Sequence, residues 1–123
     1  MSVVAVVEDN ADNRLLVHAL LDDLYEVVDY ETGADALAGF RRSRPDLVLL
    51  DISLPGMDGG EVLKRIRADE GLRGLPVIAL TAHAMAGERE RYLAAGFDDY
   101  IAKPIVDERE LLRAIARLLG EPV

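Results

Sequence analysis

Five polar residues stand directly behind apolar runs: Glu8 and Asp9 after "VVAVV", Asp51 after "DLVLL", Thr81 after "PVIAL" and Lys103 after "DDYIA". Asp51 is the sharpest case, because desolvation penalises a carboxylate at the end of a buried run. Three carboxylates sharing one cleft at ~5 Å and an effective dielectric of ~20 repel by roughly 3 kcal/mol per pair. Such a cluster must take up protons, pair with a base or bind a cation. One lysine cannot neutralise three acids, whereas a hard divalent ion can. Mg²⁺ suits a site with few carboxylates and room for water, and the lack of His or Cys nearby in sequence argues against zinc. A metal, an ammonium and a hydroxyl around one carboxylate form the parts needed for phosphoryl transfer. The carboxylate itself can be the nucleophile, giving an aspartyl phosphate. Asp51 holds the central place in that arrangement.

Those residues meet only if the elements carrying them do. "VVAVV" (3–7), "DLVLL" (46–50) and "PVIAL" (76–80) are continuous aliphatic runs without alternation, as expected of strands buried on both faces of a parallel sheet. "YEVVDY" (25–30) is a weaker strand, and "DDYIA" (98–102) a short, polar one suited to an edge. Helical spacing appears at 11–24 (Leu15, Leu16, Ala19, Leu20, Leu24), with Asn10 or Asp12 as cap. Further helices are expected at 34–43 and 60–69, at 86–95 ending on Gly96, and at 107–119 ending on Gly120. Strand and helix thus alternate five times, which predicts an α/β doubly wound, flavodoxin-like fold with helices on both faces. The expected sheet is open, parallel and five-stranded, of order 2-1-3-4-5. In such a sheet ligands bind at the carboxyl ends of the strands, here between strands 1 and 3, where all five polar residues fall. Residues 1–123 are read as a single domain.

The chain carries 23 acids against 14 bases, a net charge of −9. That sign disfavours nucleic-acid and anionic-membrane partners. There are no cysteines, no apolar run near the roughly 18 residues that span a bilayer, and no basic leader at the N-terminus. A cytoplasmic location is expected.

The pieces "VVEDN", "DLVLLDISLPGMDG", "PVIALTA" and "DDYIAKPI", in this order and spacing, resemble the CheY-like receiver domains of bacterial two-component response regulators over essentially the whole chain. The resemblance implies that Asp51 accepts a phosphoryl group from a phosphohistidine on a histidine kinase or phosphotransfer protein. The domain would catalyse its own phosphorylation and dephosphorylation. It implies that Asp9 holds Mg²⁺ (or Mn²⁺ in its place) directly, Glu8 through water, and Ser53 through its backbone carbonyl. Lys103 and Thr81 would bind phosphoryl oxygens, and Thr81 and Tyr100 would move as the switch. Pro104 is expected cis, turning the chain so that Lys103 enters the cleft. Ser53 and His83 would flank the path of the attacking water and tune the phosphoryl lifetime. The output would be protein binding by the face of the fourth helix, fifth strand and fifth helix. A departure from the family pattern lies in "DDLYEVV", where the first helix exits without the usual glycine.

Taken singly, each residue has a plainer reading. Glu8 and Asp9 suit a helix N-terminus, Thr81 a turn, Lys103 a solvated surface, Tyr100 packing on the sheet and His83 an exposed loop. His18 flanks the first helix and lacks the helical-bundle setting of a phosphorelay histidine. Three functions compete. A stand-alone switch without an attached effector leads. A receiver segment of a hybrid sensor kinase or larger regulator, suggested by "EDNADN" and "DYIAKPI", comes second. An aspartyl-phosphate phosphatase comes third, since Ser53 stands where such enzymes place a second acid.

Overall fold

A computed structural model of the chain describes residues 1–82, 85 and 87–121. The elements are β1 (Val3–Val7), α1 (Ala11–Leu21), β2 (Glu26–Tyr30), α2 (Gly33–Arg42), β3 (Leu47–Asp51), α3 (Gly59–Ala68), β4 (Val77–Thr81), α4 (Glu88–Ala95), β5 (Asp99–Ala102) and α5 (Glu108–Leu119). The strands form one sheet of order β2-β1-β3-β4-β5, every pairing parallel. The expected topology is the one observed, with "DDYIA" on an edge.

Strand side chains alternate between two cores, as the period of two demands. Ala5, Val7, Val48, Leu50, Val77 and Ala79 pack with α2, α3 and Tyr92 of α4. Val4, Val6, Leu47, Leu49, Ile78 and Leu80 pack with Val17 and Leu21 of α1 and with Leu111, Ala114 and Ile115 of α5. Burying each such aliphatic side chain contributes about 1.5–3 kcal/mol, so the strand ends at the site are anchored from both faces.

Two boundaries shift with consequence. β3 and β4 each run one residue further than expected, so Asp51 and Thr81 lie within the sheet. Asp51 is in register with Leu80 and Thr81 with Ala102. Helix α1 is shorter than 11–24 and turns a different face inward. Val17 and Leu21 are buried, while Leu15 and Leu24 are 67% and 54% exposed. The cap at Asn10, whose side chain accepts the Asn13 N–H, fixes the rotation that turns Leu15 outward. The glycine-free exit closes without left-handed backbone. Leu24 and Tyr25 both donate to the Leu21 carbonyl at 2.9 Å, Asp22 stays right-handed, and buried Tyr25 anchors the turn by donating to Glu121 Oε1 at 3.0 Å. Gly96 and Gly120 close α4 and α5 in the left-handed region at φ 113° and 72°, where other residues are disfavoured.

Candidate functional site

The carboxyl ends of β1, β3, β4 and β5 bring together Glu8, Asp9, Asp51, Thr81 and Lys103. Glu8 leaves β1 with its N–H on the Tyr30 carbonyl at 3.0 Å, and its side chain turns inward, 1% exposed. One of its oxygens, Oε1, accepts from Asn13 Nδ2 at 2.9 Å and from Lys103 Nζ at 3.1 Å. Arg14 donates to the Glu8 carbonyl at 2.8 Å, so the first turn of α1 grips the end of β1. Asp51 is equally buried. Its Oδ1 accepts the Ser53 N–H at 2.9 Å and its Oδ2 accepts from Lys103 Nζ at 3.0 Å. Asp9 is exposed and forms the open side of the cluster.

One carboxylate oxygen from each of Glu8, Asp9 and Asp51 lies within 4.8 Å of the other two, a spacing that suits shared coordination of one cation. The donors are all oxygen, as a hard divalent ion requires. Burial, together with the neighbouring Asp51, raises the Glu8 pKa above its ordinary value. Burial acts on Asp51 in the same direction, but hydrogen bonds with Glu8, the Ser53 N–H and Lys103 together outweigh it and lower the Asp51 pKa. Burial works against the Lys103 charge, yet its bonds to Asp51 and Glu8 leave its pKa raised. Asp51 is thus held as the anion and Lys103 as the cation, which is the pairing a carboxylate nucleophile needs.

Lys103 reaches the cleft from just beyond β5, its N–H bonded to the Thr81 carbonyl at 2.7 Å, and the Lys103–Pro104 peptide is cis. Thr81, 1% exposed, places its hydroxyl 3.0 Å from that of Tyr92. Tyr100 is half-buried, its ring 5.9 Å from that of Tyr92. Ser53 is exposed beside Asp51. His83 lies outside the described residues.

Four contributors escaped the sequence reading. Asn13 and Arg14 sit in the first turn of α1, and their polarity there was the available signal. Gly59, in "GMDGG", lets the start of α3 approach the end of β3: a Cβ there would lie 2.5 Å from the Asp51 carbonyl oxygen. Tyr92 is an aromatic within the charged run "ERERYLAA".

The chain's resemblances agree with this geometry. A family model described as response regulator receiver domain matches residues 4–116. The sensor protein GacS of Pseudomonas syringae pv. syringae is 46% identical over 121 residues, which are 95% of this chain and 13% of GacS. The chain therefore spans only a small part of that relative. The polar-differentiation response regulator DivK of Brucella anthropi is 43% identical over 119 residues, 96% of each chain. The solved receiver domain of the sensor histidine kinase PA1611 from Pseudomonas aeruginosa superposes with a TM-score of 0.87 at 40% identity, covering 98% of both chains. That structure has a magnesium ion in its active-site cleft.

Proposed function

The chain belongs to the response regulator receiver domain family, and we propose that it is a phosphoacceptor switch in which Asp51 takes the phosphoryl group of a phosphohistidine. Receiver domains of this kind take phosphoryl groups from histidine kinases; here the donor would be a histidine kinase or a phosphotransfer protein. The observation that carries the reading is the Asp51 carboxylate, buried yet held ionised by Lys103 and the Ser53 N–H. Its oxygen attacks phosphorus, the P–N bond breaks, and the electron pair leaves with the imidazole.

Glu8, Asp9, Asp51 and the Ser53 carbonyl would hold Mg²⁺, or Mn²⁺ in its place, with Asp9 binding directly and Glu8 through water. When bound, the ion neutralises charge on the phosphoryl oxygens. Lys103 moves from the carboxylates toward the incoming phosphoryl group, and Thr81 donates its hydroxyl to another oxygen. Ser53, small and exposed, leaves water a path to the acyl phosphate. Tyr100 turns inward with Thr81 as the state changes.

The output surface in this reading is α4–β5–α5. The Asp99 carboxylate there pairs with Arg89 of α4 at 3.0 Å and Arg117 of α5 at 2.7 Å, in an open groove of about 640 Å³. A change at Tyr100 in β5 therefore reaches both helices. In this reading residues 1–123 form one receiver domain that works as a single-domain regulator, supported by the 43% identity to DivK, and the net charge of −9 disfavours nucleic-acid partners. No helix among the described residues is long and apolar enough to cross a membrane. The second reading is a receiver segment of a hybrid sensor kinase, supported by the 46% identity to part of GacS. Intact mass after incubation with acetyl phosphate and Mg²⁺ tests the central claim. Wild type should gain one phosphoryl group and Asp51→Asn none; equal gain by the variant would refute it.

A further inference from the structure

Tyr92 is 8% exposed on a helix that is otherwise mostly charged. Its ring meets Phe97 edge-on, with centroids 5.9 Å apart, and leans on Tyr100 at 5.9 Å. A phenylalanine would make both ring contacts. The hydroxyl needs another explanation, because a buried polar group requires a partner, and the Thr81 hydroxyl lies 3.0 Å away. The same aromatic side chain thus touches both residues read above as moving parts, Thr81 by hydrogen bond and Tyr100 by its ring.

We propose that Tyr92 is a positioning residue whose hydroxyl holds Thr81 toward α4, so that capture of a phosphoryl oxygen by Thr81 exchanges this bond and α4 registers the state of Asp51. The inference rests on the phosphoacceptor reading of Asp51 and Thr81. A threonine hydroxyl has one hydrogen to give. If Thr81 donates to Tyr92, that hydrogen must be redirected to reach the phosphoryl group. If Tyr92 is the donor, a swing of Thr81 toward Asp51 leaves a buried O–H without its acceptor unless α4 follows. Either way the bond opposes activation, and relief of the opposition requires α4 to change. Tyr92 is therefore a second route from Thr81 to the output face, separate from the movement of Tyr100.

Tyr92→Phe removes the oxygen and keeps the ring. Titrating wild type and variant with beryllofluoride in the presence of Mg²⁺, followed by amide NMR, should show half-saturation at a concentration about two- to tenfold lower in the variant, the worth of one net hydrogen bond. Shifts at residues 88–95 should shrink in the variant while those of Ser53 and Lys103 persist. A ligand-free cycle isolates the hydroxyl pair: Tyr92→Phe should lower the urea midpoint in the wild-type background but not in Thr81→Val, where the hydroxyl has already lost this partner. Equal or weaker beryllofluoride binding by Tyr92→Phe, or the same midpoint loss in both backgrounds, overturns the proposal. A wild type that ignores beryllofluoride overturns the phosphoacceptor reading and this inference with it, an outcome distinct from a responding wild type matched by its variant.

Discussion

Replacing Lys103 by methionine removes the one cation that, among the described residues, is bonded to both Glu8 and Asp51, while keeping most of the aliphatic stem. Lys103 Nζ lies 3.0 Å from Asp51 and 3.1 Å from Glu8, so at an effective dielectric of ~20 each attraction is worth about 5.5 kcal/mol before desolvation. Left behind are Glu8 and Asp51 with oxygens within 4.8 Å, a repulsion of about 3.5 kcal/mol on the same scale. Desolvation of the ammonium offsets much of the lost attraction, and removing one partner of a buried pair costs about 3–5 kcal/mol. The Lys103 side chain is 20% exposed, which places the expected loss of metal-free stability lower, at about 2–4 kcal/mol. For a chain of this size that is a fall in Tm of roughly 10 °C. The assay is thermal unfolding in EDTA and again in Mg²⁺, with Lys64→Met as control, since Lys64 is the other lysine of the chain and is exposed. Mg²⁺ should raise the Tm of Lys103→Met by more than that of wild type, because the cation restores the missing positive charge. An unchanged Tm in EDTA, or an equal Mg²⁺ effect on both proteins, would refute the electrostatic account of the site.

Two further outcomes follow from other contacts. His18 places Nδ1 2.9 Å from Asp22 and Nε2 3.1 Å from Asp29, and the Asp22 bond first, then Asp29, raises its pKa above 6.5 in spite of burial. An NMR titration should find that upward displacement. The associated stability is fully present below about pH 6.5 and lost as pH rises through the folded value, so the urea-midpoint gap between wild type and His18→Gln should narrow in alkali; a gap that widens would contradict it. Gly59→Ala should cost about 1–3 kcal/mol and slow labelling by acetyl phosphate, because its Cβ would meet backbone at 2.5 Å (Asp51 O) and 2.8 Å (Ile52 Cα). Gly60→Ala, whose Cβ meets only Asp58 Oδ1 at 3.4 Å, is the matched control, and equal effects would remove the special role of Gly59.

Apolar runs without alternation were enough to specify a parallel sheet, because a strand covered on both faces has no polar side to show. The order of strands and helices then placed Glu8, Asp9, Asp51, Thr81 and Lys103 at one edge, and each is there. Periodicity read the inward face of α1 less well. Leu15 and Leu24 look like core by type, but the Asn10 cap sets the rotation of the helix and Val17 and Leu21 fill the space. The extension of β3 through Asp51 was likewise invisible, since a charged residue weakens any strand reading until its ladder partner in β4 is known.

What the sequence determined by itself was the set of reactive groups and the sheet edge that gathers them, since both depend on residue type and chain order. Which groups hold one another depended instead on how the elements pack. Lys103 bonds both Glu8 and Asp51 from 95 and 52 residues away, and the Thr81–Tyr92 pair joins β4 to α4. Contacts of that kind are set by the docking of elements through two cores, and docking to within a hydrogen-bond length leaves no periodic mark in a chain.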